Sequence, residues 1–239
     1  MRYTFLQAAV LALFVSGFST GQSAPTPSRV SAEQLKTGRF QYRTLVNGKD
    51  AGTNEISISK SGTDRFIFTN KVSGAFAQQW EAVATAMFAP VSAKLTFGEA
   101  DKLQPRFELT YSDGRAIGWR MEKATNRKID LNVAVLPDTV DQRIDWAAAM
   151  SQELVPRHEF SFSVFDPVTQ INHVIGRVVG PETINVPAGT FAAMRIAYTI
   201  EKPSGKETYQ VLTNAKGARI LLKEEFPDGA TTELVHFDK

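Results

Sequence analysis

The stretch FELTYSDGRAIGWRM, residues 107–121, decides the fold class. Phe107, Leu109 and Tyr111 recur at every second position, with Glu108 and Thr110 between them. Ser112-Asp113-Gly114-Arg115 is a turn signal, after which Ile117, Trp119 and Met121 resume the alternation. A side-chain period of two belongs to a strand with one dry face and one wet face. An Asp-Gly pair between two such runs marks a hairpin.

The same pattern extends in both directions. Upstream, Phe40, Tyr42 and Thr44 run into Asn47-Gly48, a second hairpin signal, and Ile56 and Ile58 mark the partner strand. Ser61-Gly62-Thr63-Asp64 then turns the chain into Phe66, Phe68 and Val72. A less regular stretch around Trp80 leads to Val91, Ala93, Leu95 and Phe97. Downstream come Ile129, Leu131, Val133 and Val135, then Phe160, Phe162 and Val164, then His173, Ile175 and Val179. Met194, Ile196, Tyr198 and Ile200 follow, and after Tyr209, Val211, Ile220 and Leu222 the turn Pro227-Asp228-Gly229 leads to Leu234 and His236. The reading is mainly β: about a dozen strands in a large antiparallel sheet, apolar on one face and charged on the other.

Residues 137–156, PDTVDQRIDWAAAMSQELVP, interrupt the alternation. Thr139 and Gln142 have capping-box spacing, and Trp146, Met150 and Leu154 recur at i, i+4 and i+8. Pro156 ends the segment, so one helix is expected at about 140–154.

The first residues carry an address. Arg2 is followed by an apolar run from Phe5 to Phe18 and by the small residues Ser19, Gly21, Ser23 and Ala24. That layout predicts a cleaved signal peptide at 1–24, because the run is too short for a stable membrane span. Residues 25–38, PTPSRVSAEQLKTG, read as a flexible leader, and 39–239 as a single β-rich domain. No cysteine is present, so neither a disulfide nor a lipidated cysteine is available, and the expectation is an exported protein, periplasmic or secreted, soluble after cleavage. Lys and Arg total 27 against 25 Asp and Glu, interspersed without long runs. This offers no electrostatic footprint for nucleic acid. Charged wet faces also argue against a membrane-spanning barrel.

The segment GPETINVPAGTFAAMR, residues 180–195, resembles a signature of the domain-of-unknown-function 3108 family of exported bacterial proteins, through Gly180, Glu182, Val186, Pro187, Ala188, Gly189 and Phe191. FQYRTLVNGKDAG (Phe40 to Gly52) and LLKEEFPDGATTEL (Leu221 to Leu234) are similar to that family as well. The resemblance implies a curved sheet in the manner of periplasmic lipoprotein-carrier half-barrels, and no catalytic residues. Read without the family, a hairpin folding about Ala188-Gly189 sets Glu182 opposite Arg195, an ion pair that would hold strand register. Gly180, Glu182, Pro187, Gly189, Phe191 and Arg195 therefore form a structural motif.

Little in the chain suggests catalysis. His158, His173 and His236 are isolated and have no metal-ligand spacing. No G-x-S-x-G or phosphate loop is present. Asp141 and Asp145, four apart on the expected helix, are the best acid–base candidates, but compensation of the helix dipole, with Arg143 nearby, is the simpler account of them. No catalytic residue, metal or cofactor is expected. The aromatic residues suggest more. A curved sheet with a single helix leaves an apolar cavity, lined here by Trp119, Phe160 and Phe162 and closed by Trp146, Met150 and Leu154. The expected function is a carrier for a lipid or another hydrophobic small molecule. The alternative is an envelope interaction or assembly module that binds a protein partner and has no cavity.

Overall fold

The computed structural model describes residues 30–74, 77–99 and 102–238. The expected signal and residues 25–29 of the leader lie outside them. The strands of the first half are β1 (Gly38–Val46), β2 (Lys49–Ser61), β3 (Arg65–Gly74), β4 (Ala77–Thr85), β5 (Pro90–Gly98), β6 (Gln104–Ser112), β7 (Arg115–Met121) and β8 (Lys128–Ala134). A short β9 (Thr139–Asp141) and a helix α1 (Asp145–Met150) follow. The second half comprises β10 (Glu159–Asp166), β11 (Gln170–Val186), β12 (Gly189–Lys202), β13 (Gly205–Asn214), β14 (Leu221–Glu225) and β15 (Thr231–Phe237).

Among the described residues all 15 strands belong to one sheet, ordered β8-β7-β6-β5-β4-β3-β2-β1-β15-β14-β13-β12-β11-β10-β9. Every pairing is antiparallel except β9 with β10. The chain meanders outward to β8, crosses to β9 at the opposite edge, and meanders back until β15 pairs with β1. Residues 135–138 make that crossing. Five Cα steps reach at most about 18 Å, whereas a flat sheet of this many strands would hold its edges about 67 Å apart. The sheet must therefore roll up.

The roll closes through side chains. Tyr111 on β6 donates to the Asp141 carboxylate on β9 at 2.6 Å, and the Arg143 guanidinium, paired with Asp141, lies 4.6 Å from the Phe107 ring centroid. Tyr111 also meets Phe165 edge-on at 5.9 Å. The result is an open, curved half-barrel whose seam is a buried polar knot.

The helix is shorter than its periodicity suggested. Thr139 to Asp141 are drawn into strand pairing with β10, a 3₁₀ turn covers Gln142–Ile144, and the α-helix is six residues long. Asp141 caps the 3₁₀ turn, accepting from the Arg143 amide at 3.0 Å, while the Thr139 hydroxyl accepts from the Leu136 amide. Arg219 donates to the carbonyls of Met150 and Gln152 at the far end, the natural place for a cation, and Leu154 lies beyond the helix. All of α1 is buried, and the small Ala147, Ala148 and Ala149 let it sit inside the roll.

The expected leader is docked from Val30 onward. Ser31 caps a 3₁₀ turn, Ala32 and Leu35 are buried in the core, and Leu35 bridges to Arg219.

Two strands present the opposite face from the expected one. Asp113 and Gly114 both take positive φ, 50° and 68°, in a two-residue turn that pairs Ser112 with Arg115. Ala116 and Gly118 then share a face with Leu109 and Tyr111, while Ile117 and Trp119 point outward. Trp119 stands opposite Glu108 with the Lys128 ammonium 5.0 Å from its ring centroid. On β11 the inward residues are Val174, Gly176 and Val178; His173, Ile175 and Val179 are exposed. Both strands carry apolar residues at both parities, so alternation alone could not choose the dry face, and a one-residue offset reverses it.

The β11–β12 hairpin turns at Pro187-Ala188, because Val186 pairs with Gly189. Glu182 lies opposite Ala193 rather than Arg195, an offset of two residues that keeps both charges on one face. Arg195 grips the Glu182 carboxylate through two bonds of 2.9 and 3.1 Å and reaches Gln210 and Glu225 on the other side. A bulge at Val178–Gly180 bends the hairpin, and the Ala188 amide at its tip donates to the Leu234 carbonyl on β15. Arg195→Met is expected to cost about 1 kcal/mol, the scale of a partly exposed charge network; the urea midpoint measures it.

Candidate functional site

The site is built from the inward parity of strands around the β1–β15 junction. Ile56, Ile58, Phe66 and Phe68 make that face apolar, as alternation requires. Asn54 and Asn70 break it: they occupy inward positions on β2 and β3, are 9% and 8% exposed, and their side-chain oxygens have no hydrogen-bond partner. Glu224 on β14, 8% exposed, continues the same face opposite Thr232.

Asn54, Ile56, Asn70, Glu224 and Thr232 line a cleft of 520 Å³ that α1 leaves unfilled. Trp80, Trp146, Tyr209 and Phe226 provide aromatic walls, with Ile56 and Leu95 between them. Val46 and Val72, near the hairpin ends of β1 and β3, and Asp228, in the β14–β15 turn, form the margin. The cleft lies inside the roll, open at the end that carries the Asn47-Gly48 and Pro227-Asp228-Gly229 turns.

Asp145 accepts from the Trp146 amide at 2.6 Å and from the Tyr198 hydroxyl at 3.4 Å. Burial pushes its carboxyl up to about 7, against the Trp146 amide and the Arg143 guanidinium, which favour the charged form. Burial, and then the neighbouring Asp145, push Glu224 up to about 8. Arg143 is held in the seam by Asp141, with Asp166 3.7 Å away. Asp141 and Asp145 thus have different partners, one in the seam and one at the cleft, and do not form a stacked pair on a helix.

Of the six side chains expected around a cavity, Trp146 alone lines this cleft among the described residues. Its ring meets Phe68 edge-on at 6.5 Å, and its indole N–H donates to the Arg143 carbonyl. Met150 is wholly buried in the core, Leu154 packs against that core, and Phe160 and Phe162 stack on each other at 6.1 Å. Trp119 is on the outer face. The sequence reading passed over Asn54, Asn70 and Glu224. For the two asparagines a signal was present: a polar residue in register with an apolar alternation, Asn54 before Ile56 and Asn70 after Phe68. Glu224 sits in a Lys-Glu-Glu run, which hides its inward parity. Among the described residues, no group of three or more His, Cys, Asp or Glu is placed to hold a metal ion.

The sequence profile of a family described as protein of unknown function (DUF3108) matches residues 39–235. The chain belongs to that family. The matched span runs from the start of β1 into β15, so this DUF3108 protein carries the family domain across its whole sheet. No curated protein matches the sequence. Among solved structures, a beta-barrel-like protein of the DUF1849 family from Brucella abortus is 11% identical and superposes with a TM-score of 0.52 over 85% of this chain and 98% of its own. At that identity the likeness is one of fold. A protein described as exported, with a YmcC-like fold, from Bacteroides fragilis is 9% identical, with a TM-score of 0.41 over 86% of this chain and 97% of its own.

Proposed function

We propose that this protein is exported, folds as a soluble protein in the periplasm, and binds or carries an apolar or amphipathic ligand in the cleft beside Trp146. The reading rests on one observation: a 520 Å³ cleft with aromatic walls, inside the roll and open at one end. Sites for small molecules run from about 300 to 1,000 Å³ and are mostly apolar with a few placed polar groups. Trp80, Trp146, Tyr209 and Phe226 supply the apolar area, and Asn54, Asn70, Asp145 and Glu224 the polar groups. Native mass spectrometry of gently purified protein is expected to show a copurified lipid or other amphiphile. Repeated recovery of ligand-free protein that also fails to brighten a hydrophobic dye would refute the proposal.

A second reading, an envelope interaction module, draws support from β8. It ends the strand order, and its outer edge takes no partner strand among the described residues. A free edge can accept a strand from another protein. Crosslinking in the envelope that returns one stoichiometric partner, with the cleft empty, would favour this reading over the carrier.

A further inference from the structure

The polar groups of the cleft do not form a neutral lining. Four carboxyl-bearing residues line it, Asp145, Asp166, Glu224 and Asp228, against one guanidinium, Arg143, which Asp141 and Asp166 already engage. The most buried wall adds the amides of Asn54 and Asn70, each nine-tenths buried with an oxygen that accepts from no group of the protein. Such oxygens are costly when left alone, and both side chains line the cleft, where a donor that reached them would relieve that cost. The margin is more apolar: Val46 and Val72 are partly open there, beside the exposed Asp228, and the half-buried Leu95 and Phe226 lead inward from it. The buried carboxyls Asp145 and Glu224 lie deep, and the apolar side chains of Val46 and Val72 lie near the mouth.

Resting on the reading of this cleft as the ligand site, we propose that it selects an amphiphile with a protonated amine head, seated head-first between Glu224, Asp145 and the two asparagine amides. An ammonium donates three hydrogen bonds and accepts none, which matches a wall of acceptors. Its charge compensates the carboxylates that burial disfavours. The rings of Trp80, Trp146 and Tyr209 supply further attraction for a cation. The alkyl chain then lies along Phe226, Leu95 and the valines toward the mouth. Once both acids are ionised, an anionic head such as a fatty-acid carboxylate meets like charge, which is a device for exclusion.

Dodecylammonium, dodecanoate and dodecyl maltoside, each below its micellar concentration, are compared by calorimetric titration at about pH 9, where Asp145 and Glu224 are ionised and the amine keeps its proton. Dodecylammonium is expected to bind at least about tenfold more tightly than either of the others, and the double variant Asp145→Asn, Glu224→Gln to reduce that preference to less than about threefold. Near-UV circular dichroism, which reports the packing of the tryptophans, verifies that the variant is folded. Equal or tighter binding of dodecanoate or dodecyl maltoside overturns the selectivity and leaves the carrier reading intact. A preference that survives in the folded double variant overturns the placement of the head group. Failure of all three to bind removes the carrier reading itself.

Discussion

Raising the pH from about 5 to about 9 is expected to lower the melting temperature by on the order of 10 °C. The cause is the pair of buried carboxyls at the cleft. Asp145 titrates near 3.8 and Glu224 near 4.5 when unperturbed, and burial in the fold raises them to about 7 and about 8. Between those limits the folded protein binds more protons than the unfolded chain, so stability falls as pH rises. Their contribution is complete below about pH 4, is lost progressively above it, and is gone above about pH 8. Shifts of this size correspond to on the order of 4 kcal/mol for either group taken alone, at about 1.4 kcal/mol per unit. Glu207, whose carboxyl the Lys202 ammonium holds below its usual range, acts with the opposite sign at lower pH and does not cancel the effect. Glu224→Gln should melt higher than the parent at pH 9 and show a flatter profile. A melting temperature that stays level or climbs across this range would mean that the two acids are not buried as described.

The second large effect lies at the seam. Replacing Arg143 with methionine keeps most of the side-chain volume and removes the charge that Asp141 depends on. Asp141 is wholly buried, and without Arg143 it retains the Tyr111 hydroxyl as its side-chain partner. Breaking a buried ion pair from one side costs about 3–5 kcal/mol. The loss of the guanidinium over Phe107 and of its contact to the Phe165 carbonyl acts in the same direction. Urea denaturation measures the change, and the double variant with Asp141→Asn should recover a substantial part of it, because no uncompensated charge then remains. A loss below about 1 kcal/mol would show that apolar contacts such as Phe165 against Tyr111 are sufficient to hold the roll closed.

The contrast with Arg195 is instructive, since both arginines bridge carboxylates. The Arg195 side chain is 22% exposed and that of Arg143 is 9%. Water competes for the first network and hardly reaches the second, so substitutions of the same kind should differ several-fold in effect.

How far the sequence could be read depended on how local each cause was. Hairpins such as Asn47-Gly48 and Asp113-Gly114 are set by a pair of residues that tolerate positive φ, and each is where the turn signal predicted. Trp119 failed for a local reason that could have been worked out. A two-residue turn after Ser112 fixes the pairing of Tyr111 with Ala116, and that arithmetic outranks the hydrophobicity of Ile117 and Trp119. The helix is present but shorter than expected, for a non-local reason: Thr139 to Asp141 follow β10 rather than their own capping pattern, and β10 is remote from them until the sheet has rolled.

By itself, the order of residues determined a mainly β chain of alternating hairpins, one buried helical segment built from small side chains and a tryptophan, and membership of the family through turn-bearing motifs. These follow from period, turn chemistry and composition, which act between near neighbours. Only the tertiary structure decided that β6 and β9 meet across a seam, that Asn54, Asn70, Asp145 and Glu224 line one cleft, and that Trp146 alone of the expected aromatic set stands in it. Those positions lie up to 170 residues apart in the numbering of the chain. What joins them is the curvature of the whole sheet, a property that no short window of sequence contains.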